Sequence, residues 1–116
     1  MSGIFDATTT MIGHGLNLSL TRQNALNANV ANMDTPGYTP RDVDFAAALE
    51  RAMETNTVSA EALIERPDKA PGVDGNQVDL DMQMARLSQN ATLYTASSKA
   101  MSRKLAMLKY VISEGA

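Results

Sequence analysis

Few side chains in this sequence have types and spacings that suit chemistry. A single histidine, His14, stands between Gly13 and Gly15, and cysteine is absent, so nucleophile–base pairs that need Cys with His lack a part. No carboxylate lies close to His14 in sequence, and it reads as a packed or solvated imidazole. Glu50 and Glu54 sit one helical turn apart, which is also the spacing of an ordinary solvated face. Asp74, Asn76, Asp79 and Asp81 gather oxygen donors of the kind calcium takes. An EF-hand loop starting at Asp74 needs glycine sixth and glutamate twelfth, where this chain has Asp79 and Ala85. There is no glycine-rich phosphate loop and no serine set as in a nucleophile elbow. No catalytic, cofactor-binding or metal-ligating residue is assigned, and the chain is not expected to be an enzyme.

Composition narrows the remaining classes. Net charge is −3 and the ten basic residues are scattered, so the footprint of a nucleic-acid binder is missing. Without cysteine the chain can pass between reducing and oxidising compartments unchanged. The first positive charge is Arg22, and no apolar run approaches the length of a signal core or a membrane span. Work outside the cytoplasm therefore implies export without a cleavable leader. There is no tryptophan, with two phenylalanines and three tyrosines, so rigid core anchors are scarce; eight methionines supply adaptable apolar surface instead.

The dominant pattern is helical. From Asp79 to Ile112, the positions Leu80, Met84, Leu87, Ala91, Tyr94, Ser98, Met101, Leu105, Leu108 and Ile112 alternate steps of four and three, the signature of a coiled-coil seam. Those 34 residues predict a rod of roughly 50 Å, too long for a compact domain of this size, whose radius of gyration is near 13 Å. The stripe needs a second helix from the same chain and further helices from other chains. Residues 1–33 supply one: Phe5, Thr9, Ile12, Leu16, Ser19, Gln23, Leu26, Val30 and Met33 repeat the steps, and Ile4, Met11, Leu18 and Ala25 form a second stripe. Gly13 and Gly15 each weaken this helix by about 1 kcal/mol, so its first dozen residues are expected to order only on assembly. The seams name the self-association residues: Ile12, Leu16, Leu26, Val30, Leu80, Met84, Leu87, Tyr94, Met101, Leu105, Leu108 and Ile112.

Between the helices, Asn27, Asn29 and Asn32 cluster where the first must stop. Thr35-Pro36-Gly37-Tyr38 reads as a tight turn, with Pro36 presetting φ and Gly37 free to take positive φ. Phe45, Leu49 and Met53 predict a short helix over about 43–54, capped by Asp42 or Asp44. Residues 55–78 are polar and broken by Pro67, Pro71, Gly72 and Gly75, so this stretch is expected to be the most mobile of an isolated subunit. Within it, the periodicity of 58–65 does not separate a strand from a helical turn. Asn76 or Asp79 can cap the last helix. The expected fold is mainly α and one domain: an N-terminal helix over 1–33, a turn, short helix and loop over 34–78, and a C-terminal helix over 79–113. The two long helices pair as an antiparallel coiled coil.

Asn29-Val-Ala-Asn32-Met-Asp-Thr35-Pro36-Gly37-Tyr38 resembles the N-terminal signature of the axial proteins of the bacterial flagellum, which form its rod, hook and hook-associated parts. Arg41-Asp-Val-Asp-Phe45, and Asp74-Gly-Asn-Gln-Val-Asp79 leading into a helix with Asn90 and Tyr94, are similar to the proximal-rod branch of that family. The resemblance covers about residues 16–54 and 72–113. The chain departs from the family in a short stretch between Met53 and Pro71, and in Met82-Gln83-Met84 where acidic residues are common. The resemblance implies a structural subunit of the proximal rod that polymerises through its terminal helices and transmits torque. Its partners would be further copies of itself, rod proteins such as FlgC and FlgF, the export-gate adaptor FliE and the type III export apparatus. It implies no cofactor, nucleic acid or small-molecule substrate, and a place in the periplasmic rod of the basal body. Another axial protein such as FlgC is the neighbouring reading. A soluble helical adaptor or export chaperone is the competing one; it has no use for the Thr-Pro-Gly-Tyr turn and should form a stable helical dimer in dilute solution.

Overall fold

A computed structural model describes residues 6–73 and 75–115. In chain order it contains α1 (Ala7–Ala31), β1 (Arg41–Val43), α2 (Phe45–Thr55), a single 3-10 turn (Ala60–Ala62), β2 (Leu63–Glu65) and α3 (Leu80–Gly115). The molecule measures 67 × 25 × 16 Å with a radius of gyration of 17.8 Å, well above the compact value for its length. The 36 residues of α3 set that length, at about 1.5 Å each.

The first helix starts earlier than its glycines suggest. Asp6 caps it, its Oδ1 accepting from Thr9 N at 2.9 Å and from Thr9 Oγ1 at 3.0 Å. Such a cap contributes about 1 kcal/mol, enough to offset one glycine. Gly13 and Gly15 lie inside the helix, and a Cβ there would rest 3.8 Å from Met101 Cε and 3.9 Å from Phe45 Cζ respectively, so both turns are covered by neighbouring side chains. In the single chain the helix reaches back to Ala7. The members Ile4 and Phe5 of the expected stripes lie outside the described residues.

The two long helices pack antiparallel, as expected. Asn29 meets Gln83 at 2.9 Å, Gln23 meets Asn90 at 3.0 Å, and Asp6 meets Lys104 at 2.8 Å: as the number falls toward the start of α1 it rises along α3, and Arg22 reaches Gln89 at 3.3 Å between them. The face that α3 turns inward is not the apolar stripe. Gln83 and Asn90 are buried, with Ser97 and Lys104 half-buried at the next two seven-residue steps, so the inner column is polar. The expected seam is rotated partly out of the pair. Leu80, Met84, Tyr94, Leu105 and Ile112 are all exposed, while Leu87, Met101 and Leu108 are half-buried at its edge. Hydrogen-bond pairing with α1 sets this rotation, because a buried amide left without partners costs more than a half-exposed leucine.

The short helix begins at Asp44, whose carboxylate accepts from Ala47 N, and ends at Asn56 in the left-handed region, with φ 56°. It packs on α1, burying Ala52. The middle is less irregular than expected. β1 and β2 pair antiparallel with Arg41 opposite Glu65, Asp42 opposite Ile64 and Val43 opposite Leu63, and Arg66 N extends the ladder to Pro40 O at 2.8 Å. The undecided stretch 58–65 thus contains a 3-10 turn followed by a strand. The apolar interior of the described residues is small: Leu18, Ala25, Leu26, Val43, Ala52 and Val78.

Candidate functional site

The signature residues converge on the junction where α1 ends. Asn29 is fully buried and makes four bonds: Nδ2 donates to Arg41 O at 2.7 Å and Gln83 Oε1 at 2.9 Å, while Oδ1 accepts from Arg41 N at 2.9 Å and Tyr38 Oη at 3.0 Å. One amide therefore ties α1 to β1, to the turn and to α3. Asn32 closes the helix: its Nδ2 returns to Ala28 O at 2.8 Å and its Oδ1 accepts from Thr35 Oγ1 at 3.1 Å. Tyr38 N then reaches Thr35 O at 3.2 Å across Pro36 and Gly37, and Gly37 takes φ 77°, the turn expected from its residues.

A second turn rests against the first. Gly75 also has positive φ, and a Cβ on it would stand 3.1 Å from Gly37 N and 3.3 Å from Gly37 Cα. At Gly37 a Cβ would meet nothing within 4 Å. Gly75→Ala is accordingly expected to destabilise the fold by about 1–3 kcal/mol, more than Gly37→Ala, because it adds a backbone collision to the left-handed strain. Urea denaturation of both variants checks the order.

Two buried carboxylates complete the junction. Asp42 accepts from Arg22 Nε at 2.7 Å, from Arg66 Nη1 at 2.8 Å and from Val43 N at 2.7 Å. Burial pushes its carboxyl up, but the Arg22 guanidinium, the Val43 amide and Arg66 together outweigh burial and hold it below its ordinary value. Asp68 joins the central loop to α3: Oδ1 accepts from Arg86 Nη1 at 2.7 Å, and Oδ2 accepts from Asp79 N and Gln83 Nε2, each at 2.8 Å. The segment expected to be most mobile is thereby pinned at Asp68, and again where Thr39 Oγ1 donates to Gln77 Oε1 at 3.0 Å. Asp79 caps α3 as expected, accepting from Met82 N at 3.2 Å. His14 contacts Asn56 Oδ1 at 3.2 Å, and Glu50 and Glu54 are exposed on α2.

Sequence reasoning missed the buried partners. Asp42 was a candidate cap and instead holds an ion pair, while Gln83 appeared as a departure from a pattern. Their signal was present in Arg41-Asp-Val-Asp-Phe45 and in Asn90, motif residues that turn out to be bonded in the interior.

The residues expected to self-associate divide by position. Leu26 is fully buried and serves the subunit's own interior; Ile12, Leu16 and Val30 are half-buried on α1. The α3 set is the more open; Lys104 pairs with Asp6, the cap of α1, and α3 continues for eleven further residues past that pair. On that overhang Leu105 (48% exposed), Met107 (58%), Tyr110 (66%), Val111 (58%) and Ile112 (59%) surround most of the helix. At about 100° per residue they leave mainly the Lys109 side polar, and a helix apolar nearly all round belongs inside a larger structure. No helix among the described residues is long and apolar enough to cross a membrane.

Residues 13–39, from the second turn of α1 through the Thr-Pro-Gly-Tyr turn, match the family model described as flagella basal body rod protein. Over nearly the whole chain there are closely similar relatives. The flagellar basal body rod protein FlgB of Escherichia coli K12 is 33% identical, covering 95% of this chain and 96% of its own length. The protein of the same name from Salmonella typhimurium is 32% identical over the same shares, and that of Cereibacter sphaeroides 33% identical over 79% of this chain and 83% of its own. With a motif whose Asn29 ties α1 to the turn, to β1 and to α3, and with relatives of about a third identity matched over 95% of its length, the chain belongs to the FlgB family of flagellar basal body rod proteins.

Proposed function

We propose that this chain is a structural subunit of the proximal rod of the flagellar basal body, built into a helical array by its two long helices and carrying torque along them. The observation that carries this reading is the exposed apolar face of α3, from Leu80 through Tyr94 to Ile112, on a helix that continues past its pairing with Asp6. Each well-buried Leu, Ile or Met contributes about 1.5–3 kcal/mol, so a few per neighbour suffice to hold a lattice. The polar column between α1 and α3 has a complementary role. Hydrogen bonds have fixed positions, whereas apolar surfaces slide, and bonds such as Asn29–Gln83 and Asn90–Ser19 resist slippage of one helix along the other under load.

The neighbours in this reading are further copies, rod proteins such as FlgC and FlgF, and the adaptor FliE at the export gate. Delivery to the periplasmic rod would run through the type III export apparatus. The small apolar interior suits passage as an unfolded chain, because little folding free energy opposes it. Cells lacking the chain are expected to assemble basal bodies without a rod and to be non-motile, with both defects reversed by restoring it. Electron microscopy of purified basal bodies checks this, and complete rods in the deletion strain would overturn the reading.

A further inference from the structure

An apolar groove lies between α1 and α2. Met11, Ala46, Leu49 and Met53 line it, and the exposed carboxylates Glu50 and Glu54 flank it. Its walls are almost wholly apolar, and it follows α2 for about two turns, near 12 Å at 1.5 Å per residue. That is a receptacle for a short stretch of helix with apolar side chains to bury.

The overhang of α3 has the matching properties. Leu105, Met107, Val111 and Ile112 form an exposed apolar stretch of similar length, and Lys99, Arg103, Lys104 and Lys109 set against Glu114 make this end basic. Arg103 and Lys109 are exposed. The basic end meets a groove whose rim is acidic, so charge favours this pairing over the overhang with itself or the groove with itself. A subunit cannot satisfy its own groove this way. α3 is one unbroken helix that continues past Asp6, beyond the level of Met11 in the groove, and would have to break to return.

Resting on the rod-subunit reading, we infer that the C-terminal end of α3 in one copy docks in the α1–α2 groove of the next, with Arg103 and Lys109 facing Glu50 and Glu54. The two surfaces differ, so the contact is head-to-tail. Such a contact propagates from copy to copy, and a self-complementary one stops at a dimer.

The absence of cysteine makes this testable without background. Full-length chains carrying one groove cysteine (Ala46→Cys or Met53→Cys) and one overhang cysteine (Leu105→Cys or Ile112→Cys) are expressed in the deletion strain, and purified basal bodies are oxidised. A ladder of disulfide-linked multiples of this chain is expected from at least one groove–overhang combination, and no ladder from either single variant. Glu50→Lys with Glu54→Lys should cut the ladder about tenfold, the effect of losing about 1.4 kcal/mol of contact, and Arg103→Glu with Lys109→Glu in the same chain should restore it. Chains present in rods but uncrosslinked in every combination, or crosslinked only to a different rod protein, overturn the docking and leave the rod-subunit reading standing. Failure of the cysteine-free chain itself to enter basal bodies overturns both.

Discussion

Leu105→Asp leaves the isolated subunit folded and keeps it out of the rod. Leu105 lies just past the Lys104–Asp6 pair and is 48% exposed in the single chain. Replacing it costs the subunit little, since surface substitutions away from packed contacts usually stay within about 0.5 kcal/mol. In an assembled interface the same change removes about 1.5–3 kcal/mol of leucine burial and adds the desolvation of a carboxylate, together a loss of at least about a hundredfold in affinity at each contact. Deleting residues 105–116 removes the whole overhang and is expected to act at least as strongly. Circular dichroism of the purified variant and its abundance in whole cells should match the parent, while blots of purified basal bodies should lack it. Parental levels of Leu105→Asp in rods would show that the exposed face is not what holds the subunit there.

How much of this was legible in the sequence depends on how far apart the interacting residues lie. The Thr35–Tyr38 turn and the Asp44 and Asp79 caps are local, and residue type alone predicts their geometry. The four-three periodicity of α3 gave the helix and its apolar stripe. It could not say whether that stripe faces the subunit's own α1 or another chain, because both produce the same spacing. The rotation is decided by Asn29–Gln83 and Ser19–Asn90, pairs 54 and 71 residues apart, and no periodicity encodes a partner at that distance. The three-residue strand β2 was equally hidden. It exists by pairing with β1 some twenty residues earlier, and three residues carry too little alternation to register as a strand. Asp42 shows the same limit in a single side chain. Two acids, two residues apart, both fit a helix cap, and only the position of Arg22 separates the cap from the buried ion pair.

Asp42→Asn is expected to be the most damaging single-atom change in the subunit. It keeps the shape of the side chain but removes the charge facing Arg22, which is itself buried and has Gln89 as its other side-chain partner. Leaving one member of a buried pair uncompensated costs about 3–5 kcal/mol, a large share of the 5–15 kcal/mol typical of a domain. Arg66 also binds Asp42, but its side chain is half exposed, so Arg66→Ala should cost less than about 1 kcal/mol. The pH dependence provides an independent check. In the folded chain Asp42 is held below its ordinary carboxylate value, so its ionised form favours the folded state. That contribution is complete above the unfolded value, near pH 4, and is lost as pH falls through the lower folded value. Asp6, brought down to about 2 by its bond to Lys104, adds to the same acid-side loss. Urea midpoints of the parent should therefore be flat from pH 7 to about 5 and fall steeply below about 4, whereas Asp42→Asn starts lower and falls less. Equal acid slopes for the two chains would remove the Asp42 carboxylate from the account of what locks α1 to β1 and, through Arg22 and Gln89, to α3.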